Sequence, residues 1–237
     1  MELLKSRTQR ILIEAHRGAE GLAPENSWPA LEAGLASGAD FLEVDIQLSQ
    51  DGIPFLHHHY SLPDGRLCGA VSWAEIETLR SNGLPFPRLS DVLDWIRSRE
   101  TCLSLDLKCG FQPEECLSRA VLAALQKTGT HHKVMLLAWD HVELLKIKQS
   151  QPTVTTRALL AGRLTDYRAF LHTTQVDAVS LNYGIARPAD VEQIHAAGAA
   201  ALLGGLWQPD FGAAAQLGVD MLSWGNPLEA RQALGYL

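Results

Sequence analysis

At 237 residues, 46% of them hydrophobic, the chain is long enough to bury one large core, and no shift in composition marks a second domain. Its net charge of −7 excludes a general nucleic-acid binder, because affinity for a phosphate backbone needs a basic surface. No charged-then-apolar leader opens the chain and no apolar run of about eighteen residues follows, so a cytoplasmic protein without a membrane span is expected.

Residues 11–15 read as a short buried strand, and the region of Gly18 and Pro24 ends it, which puts His16 and Arg17 on the loop beyond the strand tip. An amphipathic helix is expected over residues 28–37 and a second apolar strand over 41–47. Side chains alternate along a strand, so Glu43 and Asp45 point to the same side. Adjacent carboxylates repel, and a hard divalent cation with oxygen ligands is the usual remedy. After the Asp51-Gly52 turn, the short run at 53–56 delivers His57-His58-His59 to the same rim, where one of the three can face His16.

A helix is expected at 89–99 and a third strand at 102–107. Asp106 and Lys108 share one face there, while Leu103, Leu105 and Leu107 pack from the other. Helical patterns at 113–127, 142–149, 188–197 and 211–217 then alternate with strand-like runs at 134–138, 154–160, 178–181, 199–203 and 221–223. Eight β-then-α units predict an α/β fold, a single-domain TIM (β/α)8 barrel, with a doubly wound open sheet as the alternative. No G-x-G-x-x-G follows the first strand, which weakens that alternative. In such barrels the chemistry gathers at the C-terminal strand ends, where the residues singled out above fall. Cys68, Cys102, Cys109 and Cys116 lack a paired C-x-x-C arrangement and read as reduced thiols. His131, His132 and His141 have no matching partners and read as loop or surface residues.

In chain order, His16-Arg17-Gly18, Pro24-Glu25-Asn26-Ser27, Glu43-x-Asp45, Asp51-Gly52 with His58 six residues after the glycine, and Asp106-Leu107-Lys108 resemble the motifs of the glycerophosphodiester phosphodiesterase family. The resemblance is strong over residues 11–109. It implies one phosphodiesterase barrel domain over 1–237 that cleaves a small-molecule glycerophosphodiester to glycerol 3-phosphate and an alcohol. By the same resemblance, Glu43, Asp45 and Asp106 would hold a divalent metal, Mg2+ or Ca2+, and His16 and His58 would be the acid–base pair. Arg17 would clamp phosphate oxygens and Lys108 would add positive charge. Glu25 and Asn26 would meet substrate or cap the following helix, and Trp207 would form an apolar wall of the pocket. The alternatives are a barrel that binds a phosphorylated ligand without turnover, and a lyase that releases a cyclic phosphate. The leaving alcohol and the oligomeric state are not legible.

The chain departs from the family pattern in several places. His59 stands where an aspartate is common, leaving Glu25 or another group to orient His58. Asp106 is one methylene shorter than the frequent glutamate, and the segment around Trp207 matches poorly. Glu14 falls on the inward face of the first strand, where a charge needs a partner such as Arg17 or Lys108.

Overall fold

The computed structural model describes residue 4, residues 10–205 and residues 209–237. Trp207, expected on the pocket wall, lies outside the described residues. In chain order the elements are β1 (Leu12–Ala15), α1 (Trp28–Ala36), β2 (Phe41–Leu48), β3 (Pro54–Leu56), α2 (Trp73–Ile76), α3 (Leu89–Ile96), β4 (Cys102–Leu107), α4 (Cys116–Thr128) and β5 (Val134–Ala138). There follow α5 (His141–Ser150), β6 (Thr155–Leu159), α6 (Tyr167–Thr174), β7 (Ala178–Asn182), α7 (Pro188–Ala196), β8 (Ala200–Gly204), α8 (Phe211–Gln216), β9 (Met221–Trp224) and α9 (Pro227–Ala233).

Among the described residues, eight strands pair in parallel in the order β1-β9-β8-β7-β6-β5-β4-β2, and β2 returns to β1 to close the barrel. The open-sheet alternative is therefore excluded. The ninth strand, β3, pairs antiparallel with the end of β2. Beyond it, Phe55, Leu62, Cys68, Val71, Trp73, Ile76 and Phe86 form a small core of their own, apart from the main one. No helix among the described residues is long and apolar enough to cross a membrane.

The two faces of the strands explain both cores. Outward residues such as Ile13, Val44, Ile46, Leu103, Leu105 and Leu136 pack against the surrounding helices. Inward residues at the strand starts, Leu12, Phe41, Met135, Ala178, Ala200, Leu202 and Met221, plug the N-terminal end of the barrel. At the next inward layer several strands turn polar: Glu14 lies on β1, Glu43 on β2, Ser104 on β4 and Arg157 on β6, while β5 continues with Leu137. The period of two thus places a floor of apolar side chains beneath a polar upper layer.

Glu14 finds its partner across the barrel rather than beside it. Arg157 Nη1 and Nη2 donate to Glu14 Oε2 and Oε1 at 3.0 and 3.1 Å, and both side chains are buried. The pair was expected to involve Arg17 or Lys108, but those cations are held by carboxylates nearer the mouth. Burial drives the Glu14 carboxyl upward, and Arg157, Ser104 and Ser223 outweigh it, so the group stays below the ordinary carboxylate value.

Candidate active site

The His16-Arg17-Gly18 motif occupies a single turn just past β1. Arg17 adopts φ 49°, a left-handed conformation costing roughly 1–3 kcal/mol for a non-glycine residue. That conformation turns its backbone N–H onto Glu43 Oε2, 2.7 Å away. Helix α1 supports the turn from behind at close range. A Cβ on Gly34 would lie 2.1 Å from the Gly18 carbonyl oxygen, so this approach requires glycine. Ser27 caps α1 by accepting from the Ala30 N–H.

Asn26 sits between this turn and β2. Its Nδ2 donates to Asp45 Oδ2 at 2.7 Å, and its Oδ1 accepts from the Asp45 N–H at 2.9 Å. Glu25 accepts from Arg17 Nη1 at 2.5 Å. Neither residue lines the cavity, so both stand behind the groups expected to meet substrate rather than on its surface.

The cavity opens at the C-terminal mouth and has a volume of about 790 Å³. His16, Arg17, Glu43, Asp45, His58, Asp106 and Lys108 all line it. Ligand atoms of Glu43, Asp45 and Asp106 lie within 4.8 Å of one another, and parallel pairing sets Asp45 directly beside Asp106. Lys108 Nζ donates to Asp45 Oδ1 at 2.7 Å and also to Asp106. Burial, reinforced by repulsion from Asp45, pushes the Glu43 carboxyl upward. Burial likewise raises Asp106, with Asp45 adding to the effect and Lys108 opposing it. For Asp45 burial also acts upward, but the Lys108 charge outweighs it and the carboxyl stays low.

His16 and His58 are perturbed in opposite directions. Burial acts to lower His16, yet its hydrogen bond with Glu20 and the charge of Glu43 prevail and push it up to about 9. The Nδ1–Glu20 Oε1 distance is 2.5 Å, and Nε2 lies 3.9 Å from Glu43 Oε2. Burial lowers His58, Arg17 and Lys108 lower it further, and Asp45 opposes them. Its Nδ1 has no hydrogen-bond partner among the described residues. Of the neighbouring histidines, His57 Nε2 lies 2.9 Å from the Ser61 carbonyl oxygen, and His59 is exposed with its ring edge-on to His58 at 4.7 Å between centroids.

Reading along the chain missed three features. Glu20 follows His16 by four residues, a spacing that brings side chains together in a helical turn, whereas the sequence predicts an open loop there. Arg157, a lone cation within an apolar strand, was a visible signal for Glu14. Leu137, Trp139, Leu159, Leu160 and Leu181 become a cavity wall only through barrel closure.

Carboxylates, imidazoles and fixed cations around one C-terminal cavity mark a TIM-barrel enzyme site. Residues 16–224 match the model of the glycerophosphoryl diester phosphodiesterase family, and the chain belongs to that family. It is 27% identical over 194 residues to the uncharacterized protein YqiK of Bacillus subtilis, covering 77% of this chain and 79% of that protein. It is 28% identical over 182 residues to a glycerophosphodiester phosphodiesterase of the same bacterium, covering 65% of this chain and 61% of that enzyme. The solved structure of an Oleispira antarctica phosphodiesterase in complex with the product sn-glycerol-3-phosphate superimposes with a TM-score of 0.87. Its identity is 22%, over 94% of this chain and 96% of that one, and the likeness shows the shared fold.

Proposed function

We propose that this chain hydrolyses glycerophosphodiesters to glycerol 3-phosphate and an alcohol, with residues 1–237 acting as one phosphodiesterase domain. The observation that carries the reading is the convergence of three buried carboxylates, two imidazoles and two cations on one cavity in a member of this family. The named activity of the Bacillus subtilis relative and the product bound to the Oleispira antarctica protein support the substrate class.

The acidic cluster fits a hard divalent cation. Its donors are all carboxylate oxygens, and Asp106 Oδ1 is buried without a hydrogen-bond partner among the described residues. Glu43, Asp45 and Asp106 would hold Mg2+ or Ca2+, which when bound supplies Lewis-acid charge withdrawal from the phosphoryl oxygens.

The protein groups do the rest. Arg17 presents a planar fork of donors to the non-bridging oxygens, held in aim by Glu25 and Glu20. Lys108 adds positive charge beside the same oxygens. His58, kept neutral near pH 7 by its lowered pKa, accepts a proton from the attacking water, whose hydroxyl ends on phosphorus. His16, kept protonated by Glu20, donates a proton to the departing alkoxide. Asn26 acts at one remove by fixing the Asp45 carboxylate.

The test is release of choline and glycerol 3-phosphate from glycerophosphocholine with Mg2+, Ca2+ or chelator present. Metal-dependent turnover is expected. A protein that turns over no glycerophosphodiester with any of these metals would not be this enzyme.

A further inference from the structure

Among the described residues a second group can offer metal ligands besides the carboxylate cluster. Glu25, His58 and His59 each place one ligand atom within 4.8 Å of the other two. This group shares no residue with Glu43, Asp45 and Asp106, and its chemistry differs. Three carboxylates suit a hard cation, whereas two imidazoles and one carboxylate suit a borderline-soft one such as Zn2+.

The backbone explains why the three converge. Consecutive side chains of an extended strand face opposite ways, but β3 ends at Leu56 and the chain bends over residues 58–60. The bend leaves the His58 and His59 rings 4.7 Å apart between centroids and inclined at 74°. His58 lines the cavity, His59 is exposed, and Glu25 reaches them from the segment before α1. His58 Nδ1 is buried yet has no hydrogen-bond partner among the described residues. Buried polar atoms are rarely left in that state, and an ion is among the partners that resolve it. Tetrahedral ligands at ~2.0–2.1 Å from Zn2+ lie roughly 3.3 Å from one another, so the three atoms need to close by at most about 1.5 Å. The exposed His59 side chain has the rotamer freedom to make that adjustment. Arg17 does not lose its anchorage if Glu25 turns to an ion, because its Nε also lies 3.5 Å from both Glu20 and Asp45.

We propose that Glu25, His58 and His59 form a second, inhibitory metal site that takes Zn2+ while the carboxylate cluster is filled by a hard cation. The inhibition, though not the binding, rests on the diesterase reading. In that reading His58 accepts a proton, and an ion coordinated by His58 removes the ring from that duty. The same ion draws the Glu25 carboxylate away from Arg17, whose Nη1 it otherwise holds at 2.5 Å. Two divalent metals thus act in opposite senses on neighbouring sites. His59 is the residue that separates them, since it belongs to the second site and has no part in the chemistry of the first.

The experiment titrates Zn2+ into the untagged full chain by calorimetry in a large excess of Mg2+, and follows glycerophosphocholine hydrolysis over the same Zn2+ range. The parent is compared with His59→Asn, whose melting temperature and Mg2+-supported turnover should match the parent's. One Zn2+ should bind per parent chain, and His59→Asn should weaken that binding at least about tenfold, as befits the loss of a ligand. Saturating Zn2+ should lower the parent's kcat/KM by about 10² or more, and His59→Asn should shift the inhibition to higher Zn2+ by the same factor as the binding. No Zn2+ binding in excess Mg2+, or binding that His59→Asn leaves unchanged, overturns the site. Binding that depends on His59 but leaves turnover untouched overturns its inhibitory role. Binding that depends on His59 in a chain that hydrolyses no glycerophosphodiester supports the site and overturns the diesterase reading instead.

Discussion

Replacing Arg157 by methionine keeps most of the side-chain volume and leaves Glu14 as a fully buried carboxylate without its partner. Removing one member of a buried ion pair costs about 3–5 kcal/mol, because the other charge remains desolvated and uncompensated. For a chain of 237 residues each kcal/mol lowers the melting temperature by roughly 2–4 °C, so the expected fall is about 6–20 °C near pH 8. The loss must depend on pH in a defined direction. In the parent protein Glu14 lies below its ordinary 4.5, so the pair's contribution is complete above that pH and fades as pH falls through the folded-state value. In Arg157→Met, burial is opposed only by Ser104 and Ser223, so the Glu14 pKa rises and protonation on acidification relieves the desolvated charge. The gap in melting temperature between parent and variant should therefore shrink between pH 8 and pH 5 when followed by circular dichroism. The double variant Glu14→Met/Arg157→Met should regain more than half of the loss, since an apolar pair of similar volume often replaces a buried ion pair at little cost. A single variant within 2 °C of the parent at pH 8, or a gap that widens on acidification, would refute this account of the barrel interior.

His58→Asn should lower kcat/KM by about 10²–10⁴ with an unchanged melting temperature, as expected on loss of a general base. In the parent, activity should fall as pH drops below a midpoint lying under 6.5, because His58 must be neutral to accept a proton and its pKa is depressed; a midpoint above 7 would count against that role. Gly34→Ala gains roughly 1 kcal/mol of helix propensity but drives a methyl to 2.1 Å from the Gly18 carbonyl oxygen. A net drop in melting temperature and at least a tenfold loss of kcat/KM are expected, and an equally active, more stable variant would show that α1 does not brace the turn. Burial pushes the Cys68 and Cys109 thiols up to about 12, leaving about one thiolate in ten thousand at pH 8, whereas Cys116 is exposed. Iodoacetamide followed by mass spectrometry should label Cys116 well before those two, and equal labelling would contradict their burial.

Much of this architecture was written in local patterns. Alternation along β2 and β4 was enough to place Glu43, Asp45 and Asp106 on inward faces, because a pleated strand gives its residues only two sides. The His16-Arg17-Gly18 motif announced a loop at a strand tip, although its compact turn and left-handed Arg17 depend on contact with α1 and Glu43. Helices α6 and α9 were not foreseen. Each is short, at 8 and 7 residues, and owes much of its definition to capping by Asp166 and Asn226.

What the chain by itself determined was the alternating β/α order, the inward acids and the histidine and arginine motifs, all of which follow from spacing over a few residues. Tertiary structure alone decided that Glu14 meets Arg157 across 143 residues of sequence and that leucines from β5 to β7 make one wall. Those outcomes depend on barrel closure, which sets distances between side chains that no local periodicity encodes.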